Sequence, residues 1–333
     1  MTPICRSSCA VSSPSWPRTP NYELPPEEGP LSRTLGVIGV PTSAGAFAPG
    51  QEQAPTALRD AGLLDLLRGS SGEVRDHGDR EEWRWRPDRA HPRAQNAAKV
   101  AEIVRETAAR VADSRSAGEV TLVLGGDCTV GIGSVAGHVG ADRQVGLVYF
   151  DMHADLNVPD SVPDGALDWM GMAHMLGEDR AVPELVGAGP RAPLLEPEQV
   201  LLFGWEADQA TAFEREVIDR RGISVLPADQ VAAAPEGAAA RALELISGRC
   251  EAILVHFDVD AIDFTDFPLS ENTGRNRGLA YEAALRALGV LLASPRLVGL
   301  TITELNPDHT EDGVRSLERF ASDLAGALSG SRA

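Results

Sequence analysis

Two short runs of this sequence carry more carboxylate than a crevice can hold unaided. One is Asp151-Met152-His153-Ala154-Asp155-Leu156-Asn157, directly after the apolar run VGLVYF. The other is Asp258-Val259-Asp260-Ala261-Ile262-Asp263, directly after AILVHF. In an extended segment residues i, i+2 and i+4 point to one side. Asp151, His153 and Asp155 would therefore converge, and Asp258 and Asp260 repeat the pattern on a second strand. Four carboxylates packed together in a partly buried crevice are strongly unfavourable without positive charge. The usual compensation is divalent metal; an oxygen-rich set with a few nitrogen donors suits Mn2+, and this many ligands admits two ions sharing bridging carboxylates. A lone DxD at a strand end is commonly a cap or a solvated loop, and Asp263 is left to that role. A DxHxD with an independent DxD, both abutting buried strands, points to metal.

Such residues need strands that end together. Short apolar runs predict strands at 35–40, 72–76, 119–125, 145–151, 199–204, 222–226, 251–258 and 297–303. Most, such as VTLVLGG, are continuously apolar, as parallel strands covered on both faces are. Between them helical patterns are expected at 55–68, 95–116, 129–138, 167–177, 209–221, 234–248, 280–293 and 312–329. Over 95–116, Val100, Ile103, Val104, Ala108 and Val111 form one stripe. The alternation implies α/β architecture with a mostly parallel sheet of about eight strands, and in open sheets of this kind ligands sit outside the carboxyl ends of the strands. Residues 34–333 read as a single domain. Residues 1–33, rich in Pro, Ser and charge, read as a disordered extension.

The 333 residues carry a net charge of −19, which argues against nucleic acid or an anionic membrane as partner. No run of about 18 apolar residues is present to span a membrane. Four cysteines (Cys5, Cys9, Cys128 and Cys250) are too few and scattered for a disulfide scaffold, and the N-terminus has no apolar stretch of a secretory signal. The location expected is cytoplasmic.

The motifs resemble the ureohydrolase family of arginases, agmatinases and their relatives. The resemblance runs from about 35 to 325 through IGVPTSAGAFAPGQEQAPTALRDAGLL, HGD (77–79), GGDCT (125–129), DMHADLN (151–157), HFDVDAID (256–263) and ITELNP (302–307). It implies a three-layer α/β/α fold, a binuclear Mn2+ site, a trimer or hexamer, and hydrolysis of a guanidino group to urea and an amine by a metal-activated hydroxide. By position Asp151, His153, Asp155, Asp258 and Asp260 would be ligands, with Asp151 and Asp258 as bridges. Glu304 would pair with the substrate guanidinium, a planar cation that favours a bidentate carboxylate. Asn157 matches a residue that arginases use on the α-carboxylate, and Asp155 would take or pass the proton.

Three positions depart from the family. GGDC replaces GGDH, so Cys128 stands for a histidine ligand; thiolate suits Zn2+, Fe2+ or Ni2+ better than Mn2+. The proton-shuttle register holds Asp168, a poor shuttle unless burial raises its pKa. His174, six residues on, is offered as a substitute, and His256, two residues before Asp258, as a supporting partner or compensating ligand. Finally, Asp164 falls where a neutral hydroxyl is expected and would repel an α-carboxylate, while Trp169 could wall a pocket or stack on a cation. The substrate is thus expected to be arginine-like or modified, such as N-hydroxyarginine or agmatine. Two other readings remain: Cys128 as a metal-free nucleophile with His153 as base, and a non-catalytic relative binding a guanidino effector.

Overall fold

The computed structural model describes residues 33–70, 72–140 and 144–330. The extension expected over 1–33, with Cys5 and Cys9, lies outside the described residues save for its last position.

All eight expected strands form: β1 (Leu35–Gly39), β2 (Val74–Asp79), β3 (Val120–Leu124), β4 (Val145–Phe150), β5 (Val200–Trp205), β6 (Ser224–Pro227), β7 (Ala252–Asp258) and β8 (Leu297–Thr303). They make one sheet in the order β2-β1-β3-β8-β7-β4-β5-β6, and every pairing is parallel. The central strands β3, β8, β7 and β4 are buried along their whole length, which is why their sequences are continuously apolar rather than alternating. At the edge, β2 is polar and mostly exposed, and it starts two residues later than its pattern suggests. Its side chains are absorbed locally. Arg59 pairs with Asp76 at 2.9 Å and Asp79 at 2.6 Å, and His77 Nε2 meets Glu119 at 2.7 Å. The HGD run therefore serves the sheet edge.

Helices cover both faces. Ala97–Ser116, Val130–Val139 and Ala212–Arg221 pack on one face. The other carries Ala54–Asp60, Leu63–Ser70, Pro235–Ser247, Tyr281–Leu292 and Val314–Ser329. Steps along the sheet toward β6 put their helices on the first face and steps toward β2 put theirs on the second, as one hand of crossover requires. Two helical expectations are corrected. The segment 55–68 is two helices broken at Gly62, whose φ of +85° is left-handed. The segment 167–177 shrinks to a 3-10 turn, Asp168–Met170, and the short helix Gly171–Met175. The helix expected at 234–248 forms as Pro235–Ser247, its proline suited to a first helical turn, and the separate helix before it, Ala228–Ala233, was not expected.

Register sets the site. Tyr149 pairs with His256 and Phe150 with Phe257; Asp258 pairs with Thr303; Leu124 pairs with Ile302. The next residues on four adjacent strands thus form one row at the carboxyl edge. There β3 and β4, consecutive in the chain, stand apart with β8 and β7 between them, and the crevice opens at this reversal of strand order.

Candidate metal centre

Asp151 is the first residue past β4, and its N–H still donates to the Phe203 carbonyl at 3.0 Å. Its Oδ1 accepts the His153 N–H at 2.6 Å, while His153 Nδ1 lies 3.4 Å from that oxygen and 3.1 Å from Asp260 Oδ2. Asp258 caps the turn that follows it, Oδ1 accepting the Asp260 N–H at 2.7 Å, and its Oδ2 accepts the Cys128 thiol at 2.9 Å. Asp155 leaves the strand direction at φ +50° and accepts the Tyr149 hydroxyl on Oδ2. Positive φ is costly for a residue with a Cβ and is held by its surroundings. All six expected ligands are brought together. The groups Cys128–Asp151–Asp155, Asp151–His153–Asp260 and Cys128–His256–Asp258 each have ligand atoms within 4.8 Å of one another. Asp151 belongs to two groups, the arrangement a bridging carboxylate needs; Cys128 also belongs to two, and Asp258, the other expected bridge, to one. His256 joins as a ring packed flat on Tyr149, 4.3 Å between centroids and 8° between planes.

The electrostatics are those of acids lacking a cation. Burial, then the charge of Asp260, pushes Asp151 up to about 7 despite His153. Burial and neighbouring carboxylates push Asp155 and Asp258 well above the usual range. Asp260 is the exception: burial works to raise it, but the charge and hydrogen bond of His153 hold it low. His153 is correspondingly raised, its own burial outweighed by Asp260 and Asp151. Burial and the surrounding acids lift the Cys128 thiol.

Glu304 follows β8 at φ +60°. Its Oε1 accepts the Cys128 N–H at 2.8 Å and its Oε2 accepts Gln51 Nε2 at 3.0 Å. Each oxygen keeps a lone pair, and burial with Asp127 nearby raises its pKa. Gln51 was not identified from the sequence: it is 253 residues away in the chain and carries no local signal. Asp127 also acts at the site's edge, accepting the Gly45 N–H at 3.0 Å, while its own N–H donates to Thr42 O at 3.0 Å. That strap passes so close that a Cβ on Gly126 would stand 1.7 Å from Thr42 O. Tyr149 had a signal, standing two residues before Asp151 in the same run, and Thr303 only its place beside Glu304.

Other expected residues divide. Asp168 is buried beneath the Gly45 carbonyl, and burial, then Glu304, Asp127 and Asp155, raises its pKa strongly. His174 has no acid acting on it: both ring nitrogens are buried, and burial, opposed only by the Met170 backbone, lowers it to about 4. Asn157 accepts from Ser161 Oγ and Thr211 Oγ1, each at 2.9 Å. Asp164 is exposed in a turn, accepting the Ala166 N–H at 3.1 Å. Trp169 faces the exposed Phe47, ring centroids 6.4 Å apart. Asp263 forms the expected turn, accepting from the Thr265 and Asn276 backbones.

A family model described as the arginase family matches residues 33–328. The chain belongs to the arginase family. Human arginase-1 is 29% identical over 279 residues, covering 83% of this chain and 86% of its own, and arginase of Bacillus caldovelox is 28% identical, covering 83% and 91%. A solved structure of Bacillus caldovelox arginase superposes with a TM-score of 0.77 at 27% identity, covering 90% of this chain and 97% of that one. Formimidoylglutamase of Bacillus subtilis shares the fold, with a TM-score of 0.70 at 18% identity. As a member of the arginase family, the chain is a hydrolase of C–N bonds in linear amidines. Family members are binuclear metal enzymes, and the residues here fit such a centre. Asp151 Oδ2 and Asp260 Oδ1 are buried with no hydrogen-bond partner, a costly state that a cation relieves.

Proposed function

We propose that this protein hydrolyses the guanidino C–N bond of a linear, arginine-like or modified guanidino compound, releasing urea or a urea derivative and an amine. The observation that carries this is the meeting of orphaned carboxylate oxygens with Glu304, whose free lone pairs face a role no protein donor fills. Two ions would be held by Asp151, Asp155, Asp258, Asp260, His153 and Cys128, with Mn2+ suited to the oxygen-rich group Asp151–His153–Asp260. Bound there, the ions supply an activated water at neutral pH and offset the acids' charge.

The chain's own residues bind, orient and carry protons. Glu304, fixed by the Cys128 N–H and Gln51, pairs with the guanidinium and holds its carbon in one place. Asp155, tied to Tyr149 and raised only while its acidic neighbours lack a cation, would take a proton once the ions offset that charge, and Asp168, kept protonated by its buried acidic surroundings, delivers one to the departing amine. His174, shielded and uncharged, is not assigned that task. Asn157 is engaged with Ser161 and Thr211, and Asp164 lies in an exposed turn; neither argues for the head group of L-arginine. Trp169 and the exposed Phe47 face each other with centroids 6.4 Å apart, and rings of this kind suit a cation. A Cys128 nucleophile is disfavoured by its raised pKa, since reactive cysteines lie in electropositive surroundings. We infer a homo-oligomer of trimeric or hexameric form.

The test is urea or hydroxyurea release from arginine, N-hydroxyarginine, agmatine and guanidinobutyrate. Turnover of at least one, lost on chelation and restored by Mn2+, is expected. Metal-loaded protein inert toward all four overturns the proposal.

A further inference from the structure

The donors of the centre are not alike. At one end Asp151, His153 and Asp260 offer oxygen and one imidazole; at the other the buried Cys128 thiol lies within 4.8 Å of the His256 imidazole and an Asp258 oxygen, and in a second grouping within 4.8 Å of oxygens of Asp151 and Asp155, which adjoin the same position. Cys128 Sγ stands 3.4 Å from His256 Nε2 and 2.9 Å from Asp258 Oδ2. Typical Zn–S and Zn–N bonds set neighbouring S and N donors about 3.1 Å apart at a right angle and about 3.6 Å at a tetrahedral one. The observed S···N spacing falls between.

The imidazole is fixed in this pose. Tyr149 stacks on its face, Nε2 is 3.1 Å from Thr303 Oγ1, and Nδ1 turns toward Gly131, where a Cβ would lie 2.7 Å away. Nδ1 is buried and has no hydrogen-bond partner. The ring is thus aimed by packing, with its engaged nitrogen on the side of Cys128. An imidazole and a carboxylate are costly to bury without partners, and the buried thiol, itself easily buried, lies against both.

We propose that Cys128, His256 and Asp258 form a thiolate metal position whose preference differs from that of Asp151–His153–Asp260, taking Zn2+ or Co2+ while the oxygen-rich position takes Mn2+. The inference rests on the binuclear reading above and deepens it. Binding exchanges the thiol proton for the metal: the S–H bond breaks, an S–metal bond forms, one proton leaves to solvent, and nothing is oxidised or reduced.

The test uses the full chain, stripped by chelator and titrated with Co2+. Two ions are expected, with a near-ultraviolet thiolate-to-Co2+ charge-transfer band that saturates at one ion per chain. One equivalent of Zn2+ removes the band, and a tenfold excess of Mn2+ does not. Cys128→Ser loses the band and still binds one Co2+. X-ray absorption at the zinc edge of protein carrying one Zn2+ finds a sulfur and an imidazole, and His256→Ala loses the imidazole. Two bound Co2+ without a thiolate band, or a band surviving Cys128→Ser, overturns this inference and leaves the binuclear reading standing. Unchanged imidazole scattering in His256→Ala removes His256 from the set and so also overturns it. A wild-type chain binding no ion at all overturns both.

Discussion

At the scale of single residues, the site is a problem of charge. Asp258 joins two parts of it: Oδ1 holds the Asp260 backbone, Oδ2 takes the Cys128 thiol, and the side chain is buried. Asp258→Ala is expected to abolish metal occupancy and turnover together. Its effect should exceed the roughly 10–100-fold cost of losing a group that merely supports a ligand. Elemental analysis beside a urea assay checks this, and full turnover with retained metal contradicts the assignment. Not every named residue belongs to this problem. His174, Asp164 and Asn157 are engaged elsewhere or shielded, because a residue's type and spacing do not say which way a loop carries it.

At the scale of elements, loops and caps decide the aim of those charges. The helix Ala212–Arg221 opens with a capping box. Thr211 Oγ1 accepts the Glu214 N–H at 3.1 Å, and Glu214 Oε2 accepts the Thr211 N–H at 2.8 Å. The same cap reaches the site loop, since Thr211 Oγ1 donates to Asn157 and Glu214 Oε1 accepts the Leu156 N–H at 3.2 Å. Thr211→Ala should cost about 1 kcal/mol and lower Tm by roughly 2 °C, with a reduced kcat because the segment after Asp155 loosens. Thr211→Ser, which keeps the hydroxyl, should restore both in thermal melts and assays. Equal loss in both variants would detach the cap from the site.

At the scale of the whole molecule, acid stability carries a signature of His174. Its folded pKa is about 4 against about 6.5 in an unfolded chain. Between these values the unfolded state binds the extra proton, so stability is full above about 6.5 and falls as pH drops toward 4. The loss from this group between pH 7 and 4.5 is about 2 kcal/mol. His174→Phe should remove that part of the pH dependence, read as the difference between denaturant-unfolding curves of the two proteins at those pH values. Parallel curves would show that the folded pKa of His174 matches its unfolded value. Among the described residues no helix is long and apolar enough to cross a membrane, in keeping with the acidic composition.

The sequence alone determined the layered α/β plan, because buried parallel strands must be continuously apolar and their connections must be helical. It also marked the candidate ligands Asp151, His153, Asp155, Asp258 and Asp260 by their place at the ends of such strands, but not through an extended backbone: β4 ends at Phe150, Asp155 turns to φ +50° and Asp260 sits in a 3-10 turn. What only the tertiary structure decided are contacts made across the sheet or over its edge. Gln51 reaches Glu304 from the far end of the chain; His256 meets Cys128 because β7 and β3 flank β8; His174 is buried with no acid acting on it. Spacing along the chain fixes direction within one strand, whereas strand order and loop path fix which strands share a corner.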